Sequence, residues 1–214
     1  MNNIIFQRIF SSIVLLPLVL KLTVKNNLYF NLFLLFCLLA SIKEWVNISY
    51  KKSFFIFGNF FLIFSFLNAY FLRNADNGLF LFLFVMVICI CTDLGGYIIG
   101  NLVKGPKLTK ISPKKTYSGC LGGFIFSYVG INIYFFISQK LLNVNVKFDL
   151  SIFFTIFLIS AVSQIGDLIV SYFKRRSNLK DTGKLIPGHG GLLDRIDGII
   201  FAIPFYNFFY LINF

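Results

Sequence analysis

The sequence predicts an all-α fold: a polytopic integral membrane protein of about seven transmembrane helices, within a range of six to nine. Three observations carry that expectation. Apolar residues make up 57% of the 214-residue chain and charged residues only 13%, against roughly 25% charged in soluble domains. Apolar runs recur at or near the roughly 17–25 residues that cross about 30 Å of hydrocarbon as helix. The charged residues gather between those runs and at their ends.

Residues 4–22 form the first expected span. Arg8 precedes its apolar stretch in the manner of a secretion signal, but no small-residue cleavage pattern follows and further spans do, so a retained helix is expected. Spans at 27–42 and 53–72 come next. The fourth is expected at 78–92, with the glycine-bearing stretch 93–103 as a candidate half-helix. The fifth, sixth and seventh are placed at 119–138, 150–172 and 198–213. The whole reads as one domain over 1–214, with less informative spans in 1–77 and the motif-bearing part in 78–214. Cys37, Cys89, Cys91 and Cys120 lie in or beside apolar runs and read as small core residues. They match neither a zinc-ligand set nor a disulfide framework.

Seven spans put fifteen of the 20 Lys and Arg residues on one side of the membrane, leaving Lys21, Lys25, Arg73, Lys140 and Lys147 opposite. By the positive-inside rule the fifteen face the cytoplasm. Topology and attraction to anionic headgroups therefore account for most of the formal charge of +12. No soluble basic domain is present to bind nucleic acid. One expected cytoplasmic loop, 104–118, carries five lysines and no acid. Such a loop repels itself and stays open unless anions sit against it.

Polar residues inside the apolar runs are the next signal. Ser160, Ser163, Gln164, Asp167 and Ser171 fall at spacings of three and four, on one face of the sixth expected helix. A carboxylate there needs a partner or a polar cavity. Asp93 ends the fourth span, followed by Gly95 and Gly96, and Asp194 and Asp197 share one side of any helix that holds both. Four acids thus approach the same membrane boundary, and a hard cation such as Mg2+ suits oxygen ligands of this kind. Between them runs Lys184-Leu185-Ile186-Pro187-Gly188-His189-Gly190-Gly191. Pro187 is expected to stop any helix continuing from the sixth span, and the glycines suit a loop that cradles phosphate.

The run from Ser171 through Lys174, Arg175, Lys180, Asp181, Gly183, Pro187, His189, Gly190, Gly191, Asp194 and Arg195 to Asp197 resembles the signature of phosphatidate cytidylyltransferases, the CDP-diacylglycerol synthases. Gly166-Asp167-Leu168 is similar to the part just upstream. A second likeness is Asp93 with Gly96-Tyr97 and Gly100, then Ser112-Pro113-Lys114-Lys115-Thr116 and Gly119–Gly123. Before residue 90 the likeness rests on Arg8 and Glu44-Trp45, a pair that otherwise reads as an interfacial anchor. Where such proteins commonly carry Trp-Glu after Lys-Thr, this chain has Tyr117 and Ser118, so one carboxylate is lost.

The resemblance implies transfer of CMP from CTP to phosphatidic acid, giving CDP-diacylglycerol and pyrophosphate. Its partners would be CTP, phosphatidic acid and the lipid bilayer, with no nucleic acid; a homodimer is allowed. It implies Mg2+ as cofactor, with room for a second cation such as K+. The location would be the inner (plasma) membrane of a bacterium, with the site facing the cytoplasm. Asp167 and Asp194 are the first expected metal ligands, followed by Asp93, Asp181 and Asp197. Substrate phosphates would be held by Lys114, Lys115, Ser171, Lys174, Arg175, Lys180, His189, Gly190, Gly191 and Arg195. The catalytic set is Asp167, Asp194, Lys115, His189 and Arg195. Alternatives are a related CTP-dependent lipid cytidylyltransferase or kinase with another acceptor, and a membrane transporter.

Overall fold

The computed structural model describes residues 17, 19–24, 27–49, 52–109, 111–142, 149–188 and 190–213. Among these the labelled helices are α1 (Asn27–Ser49), α2 (Phe55–Asn74), α3 (Gly78–Val103), α4 (Tyr117–Leu142), α5 (Leu150–Arg176), α6 (Leu193–Ile196) and α7 (Ile199–Asn213). β-Structure among the described residues is confined to two isolated bridges, Lys107 with Thr116 and Ile186 with Gly190.

The protein is all-α and polytopic. Helices α1 to α5 are each long and apolar enough to cross a membrane, and a shorter apolar helix covers Ile199–Tyr210. Most of the first expected span lies outside the described residues; residues 17 and 19–22 of it are helical, as are 23 and 24 beyond it. Large apolar side chains such as Ile56, Phe57 and Phe60 are 72–74% exposed on α2, as hydrocarbon solvent permits. Helices meet that solvent because their backbone polar groups are satisfied internally.

The stretch 93–103 is not a separate half-helix: α3 runs unbroken through Gly95, Gly96 and Gly100 to Val103. The reason is close approach. A Cβ on Gly95 would come within 2.3 Å of the Gly122 carbonyl oxygen, and one on Gly119 within 2.7 Å of the Gly96 carbonyl oxygen. The glycines of α3 and α4 thus let two backbones touch, the role small residues play between membrane helices.

The chain divides into two compact units, Met1–Leu79 with Phe173–Ile196, and Phe80–Tyr172 with Asp197–Phe214. In the first unit α1 packs on α2 and also meets α6. Trp45 is only 5% exposed, so it is a core residue and not the interfacial anchor its sequence position suggested. Its ring packs on Phe54 and Phe173, and its indole N–H donates to the Phe55 carbonyl at 3.3 Å. Any side chain at Gly58 would collide with that indole.

Helix α5 ends at Arg176, well before Pro187. The stop is Asn178, at φ 55°. Its N–H bonds the Arg175 carbonyl at 3.0 Å and the Leu179 N–H bonds the Lys174 carbonyl at 2.9 Å, the paired hydrogen bonds of a left-handed helix cap. Ser177 Oγ then donates to the Ile48 carbonyl at 2.8 Å. Lys52 Nζ donates to the Arg176 carbonyl and to Ser177 Oγ. Carbonyls left over at two helix ends are thereby satisfied.

In the second unit the lysine loop is folded back on itself. Leu108 N–H donates to the Lys115 carbonyl at 2.8 Å, and Tyr117 N–H to the Pro106 carbonyl at 3.2 Å. Thr116 caps α4 by accepting the Gly119 N–H on its hydroxyl at 3.1 Å. Thr116→Val keeps the volume and removes that acceptor. It should cost about 1 kcal/mol, as N-cap losses do, and appear as a lowered melting temperature of the protein in detergent micelles.

Candidate active site

Two charged clusters stand out, one in each unit. In the first unit Asp194, at the start of α6, is almost enclosed. Its Oδ1 accepts from Lys174 Nζ at 2.8 Å, with side chains only 9% and 6% exposed for Lys174 and Asp194. Its Oδ2 accepts from Thr182 N–H at 2.8 Å and Gly191 N–H at 2.9 Å. The Thr182 hydroxyl lies 3.1 Å from the same oxygen.

Glu44 of α1 completes this cluster. It is 5% exposed. Oε1 accepts from Leu192 N–H and Oε2 from Leu193 N–H, both at 2.8 Å. Thr182 Oγ1 lies 2.7 Å from Oε2, so one hydroxyl proton sits between two carboxylates.

The glycine loop therefore closes on the protein's own carboxylates. The N–H groups of Gly191, Leu192 and Leu193 are bonded to Asp194 or Glu44, and that of Gly190 to the Ile186 carbonyl at 3.1 Å. A phosphate cradle built from these amides, as the sequence suggested for Gly190 and Gly191, would have to displace those bonds. The glycines serve approach instead. A Cβ on Gly191 would lie 2.1 Å from Thr182 Oγ1 and 2.4 Å from Glu44 Oε2; Gly190 has φ +93° and faces Asp194 and Asp181. His189 lies outside the described residues.

In the second unit Lys115 Nζ lies 2.5 Å from Asp167 Oδ2, with side chains 27% and 24% exposed. Ser171 Oγ donates to Asp167 Oδ1 at 3.2 Å. The polar stripe of α5 is packed toward its inner end: Ser160 and Ser163 are 0% and 1% exposed, and Ser160 Oγ pairs with Thr92 Oγ1 of α3 at 2.8 Å. At Ser160 and Ser163 helix contacts thus take the place of a polar cavity, while Asp167 is half-buried. Ser118, which stands where a carboxylate was expected, bonds the Lys104 carbonyl and pairs with Thr116 Oγ1.

The remaining expected residues are placed as follows. Lys114, Arg175, Lys180, Asp181, Arg195 and Asp93 are exposed; Arg175 Nη1 donates to the Leu179 carbonyl at 3.1 Å. Asp197 is 7% exposed, and its Oδ1 accepts the Gly198 N–H at 3.0 Å. Helix α6 ends at Ile196, so a single helix does not carry both Asp194 and Asp197. Among the described residues no group of three His, Cys, Asp or Glu side chains could hold a metal ion. Lys174, expected on phosphate, is the buried partner of Asp194.

Thr182 had no part in the sequence reading, and Glu44 entered it only beside Trp45, in the family likeness or as an interfacial anchor. Glu44 is the one acid of α1, whose only other charged residue is Lys43. Buried in hydrocarbon or protein, such an acid must find donors.

Residues 51–213 match the cytidylyltransferase family. The chain is 32% identical over 203 residues to the phosphatidate cytidylyltransferase of Rickettsia felis, covering 94% of this chain and 89% of that protein. With the phosphatidate cytidylyltransferase of Rickettsia bellii it shares 32% over 216 residues, 97% of this chain and 92% of the other. With that of Haemophilus influenzae it shares 38% over 142 residues, 66% and 49% of the two chains.

Proposed function

The chain belongs to the cytidylyltransferase family, and on that premise we propose that it is a phosphatidate cytidylyltransferase, joining CTP to phosphatidic acid. The observation that carries the reading is the extent of the relationship: likeness to proteins of that name spans nearly the whole chain. The family match at 51–213 takes in Lys115, Asp167, Lys174 and Asp194. The fifteen cations assigned to one side by the span order support a site that meets CTP at the cytoplasmic surface.

In this reaction a phosphate oxygen of the lipid attacks the α-phosphorus of CTP. The bond from that phosphorus to the oxygen bridging to the β-phosphate breaks, and pyrophosphate leaves with the electron pair. The lipid phosphate is already anionic at neutral pH, so no strong base is needed. The protein's task is to neutralise and align two polyanions, and positioning with electrostatics carries most of the catalysis in such transfers. Lys115 is poised for this, since its side chain is partly exposed and its ammonium lies beside Asp167. In the same unit the exposed Lys114 supplies a further phosphate contact; in the first unit Arg175, Lys180, Lys184 and Arg195 are exposed, and the arginines suit bidentate contact with phosphate. Lys174 acts one step back, by neutralising Asp194.

The reading implies Mg2+, and the residues fit it in a substrate-assisted way. The cation commonly takes one or two carboxylates and completes its shell with water and phosphate oxygens, so a dedicated cage is unnecessary. Asp167, whose side chain is 24% exposed, fits as the holding carboxylate. Asp194 does not in this arrangement, because its side chain is only 6% exposed and accepts from Lys174 Nζ and from two backbone N–H groups. When bound, Mg2+ would supply charge neutralisation to the phosphates and the leaving group.

The test is acceptor dependence in purified, detergent-solubilised protein with CTP and Mg2+. Pyrophosphate release should require phosphatidic acid and stop with excess chelator. Release of CDP with diacylglycerol as acceptor would identify a kinase instead and overturn the reading.

A further inference from the structure

We propose that Glu44 is a positioning residue: through the Thr182 hydroxyl and the backbone of Leu192 and Leu193 it fixes the 182–193 loop in the shape the reaction needs. This rests on the cytidylyltransferase reading for its kinetic consequence but not for its structural one.

Four observations carry it. Glu44 reaches the loop from 138 residues away in sequence, so no local turn preference supplies these contacts. It is 5% exposed, and it accepts two backbone N–H groups at 2.8 Å as well as lying 2.7 Å from the Thr182 hydroxyl. The loop is moulded around it: Cβ atoms on Gly183 and Gly191 would lie 2.7 Å from Oε1 and 2.4 Å from Oε2. Through Thr182 it is joined to Asp194 and so to the buried Lys174.

The loop carries Lys184, and α6, which follows it directly, carries Arg195; both are exposed. Glu44 holds Thr182 and the backbone of Leu192 and Leu193, so its effect on the reaction passes through backbone shape. Glu44→Gln keeps the volume but replaces one acceptor oxygen by a donor, so either the Leu192 or the Leu193 N–H faces another N–H. Thr182→Val removes the linking hydroxyl, and Thr182→Ser keeps it.

The first readout is hydrogen exchange in the full-length protein without substrates. In Glu44→Gln the amides of Gly191, Leu192 and Leu193 should exchange about tenfold faster, the effect of losing one buried hydrogen bond, while α2 is unchanged. Unchanged loop exchange overturns the proposal whatever the enzyme's substrate. The second readout is steady-state kinetics with both substrates varied. Glu44→Gln and Thr182→Val should raise KM for CTP about tenfold, with KM for phosphatidic acid within about twofold of the parent, and Thr182→Ser should restore the parent values. Equal rises for both substrates, or activity that simply follows the fraction of folded protein, would assign Glu44 a purely structural role. If the parent shows no CTP-dependent transfer, the functional reading fails while the exchange result still decides the role of Glu44.

Discussion

Lys174→Met should destabilise the protein by about 3–5 kcal/mol, the cost of leaving one member of a buried ion pair without its partner. Asp194 would keep its donors from Thr182 and Gly191 but lose the cation 2.8 Å from Oδ1. In a chain of this size the loss corresponds to a fall in melting temperature on the order of 10 °C. Transfer activity should disappear with it, because the loop is organised around Asp194. Melting in detergent micelles checks the first effect. Lys174→Met/Asp194→Asn should recover much of the stability, since no charge is then stranded. A single variant that melts with the parent would show the pair to be dispensable.

Lys115→Met should do the reverse, lowering the transfer rate by about 10²–10³, as loss of one preorganised electrostatic contact does, with little change in melting temperature. Lys115 and Asp167 are about a quarter exposed, and such solvent-screened pairs are worth only about 0–1 kcal/mol to stability. The comparison of kcat with melting temperature separates the two lysines. A Lys115→Met protein with parental kcat would remove Lys115 from the reaction.

The contrast between these lysines was not legible in the sequence. Both stand in motifs dense with charge, and composition cannot say which ammonium is buried. Spans were legible because hydrocarbon imposes length and polarity limits on each helix separately; α2, α5 and α7 fall close to their expected positions. Where the expectation failed, a partner decided. The stretch 93–103, expected as a half-helix, instead continues α3, because α4 offers glycines against Gly95, Gly96 and Gly100.

The loop illustrates the same limit. Glycines that admit a phosphate and glycines that admit the protein's own carboxylate look alike in sequence, and Glu44 lies too far away for spacing to link it to Thr182. The helix stop at Asn178 had a local signal, since asparagine tolerates the left-handed conformation, but Pro187 was the more conspicuous breaker. The Lys115–Asp167 pair joins two residues that the sequence had separately marked.

The most direct measurement of the central claim follows label from CTP. Purified protein is given phosphatidic acid and CTP labelled on either the α- or the γ-phosphate, and the lipid and aqueous products are separated. Cytidylyl transfer places the α-label in CDP-diacylglycerol and the γ-label in pyrophosphate, in equal amounts. Appearance of the γ-label in lipid, or of no label in lipid at all from a folded preparation, would contradict the account.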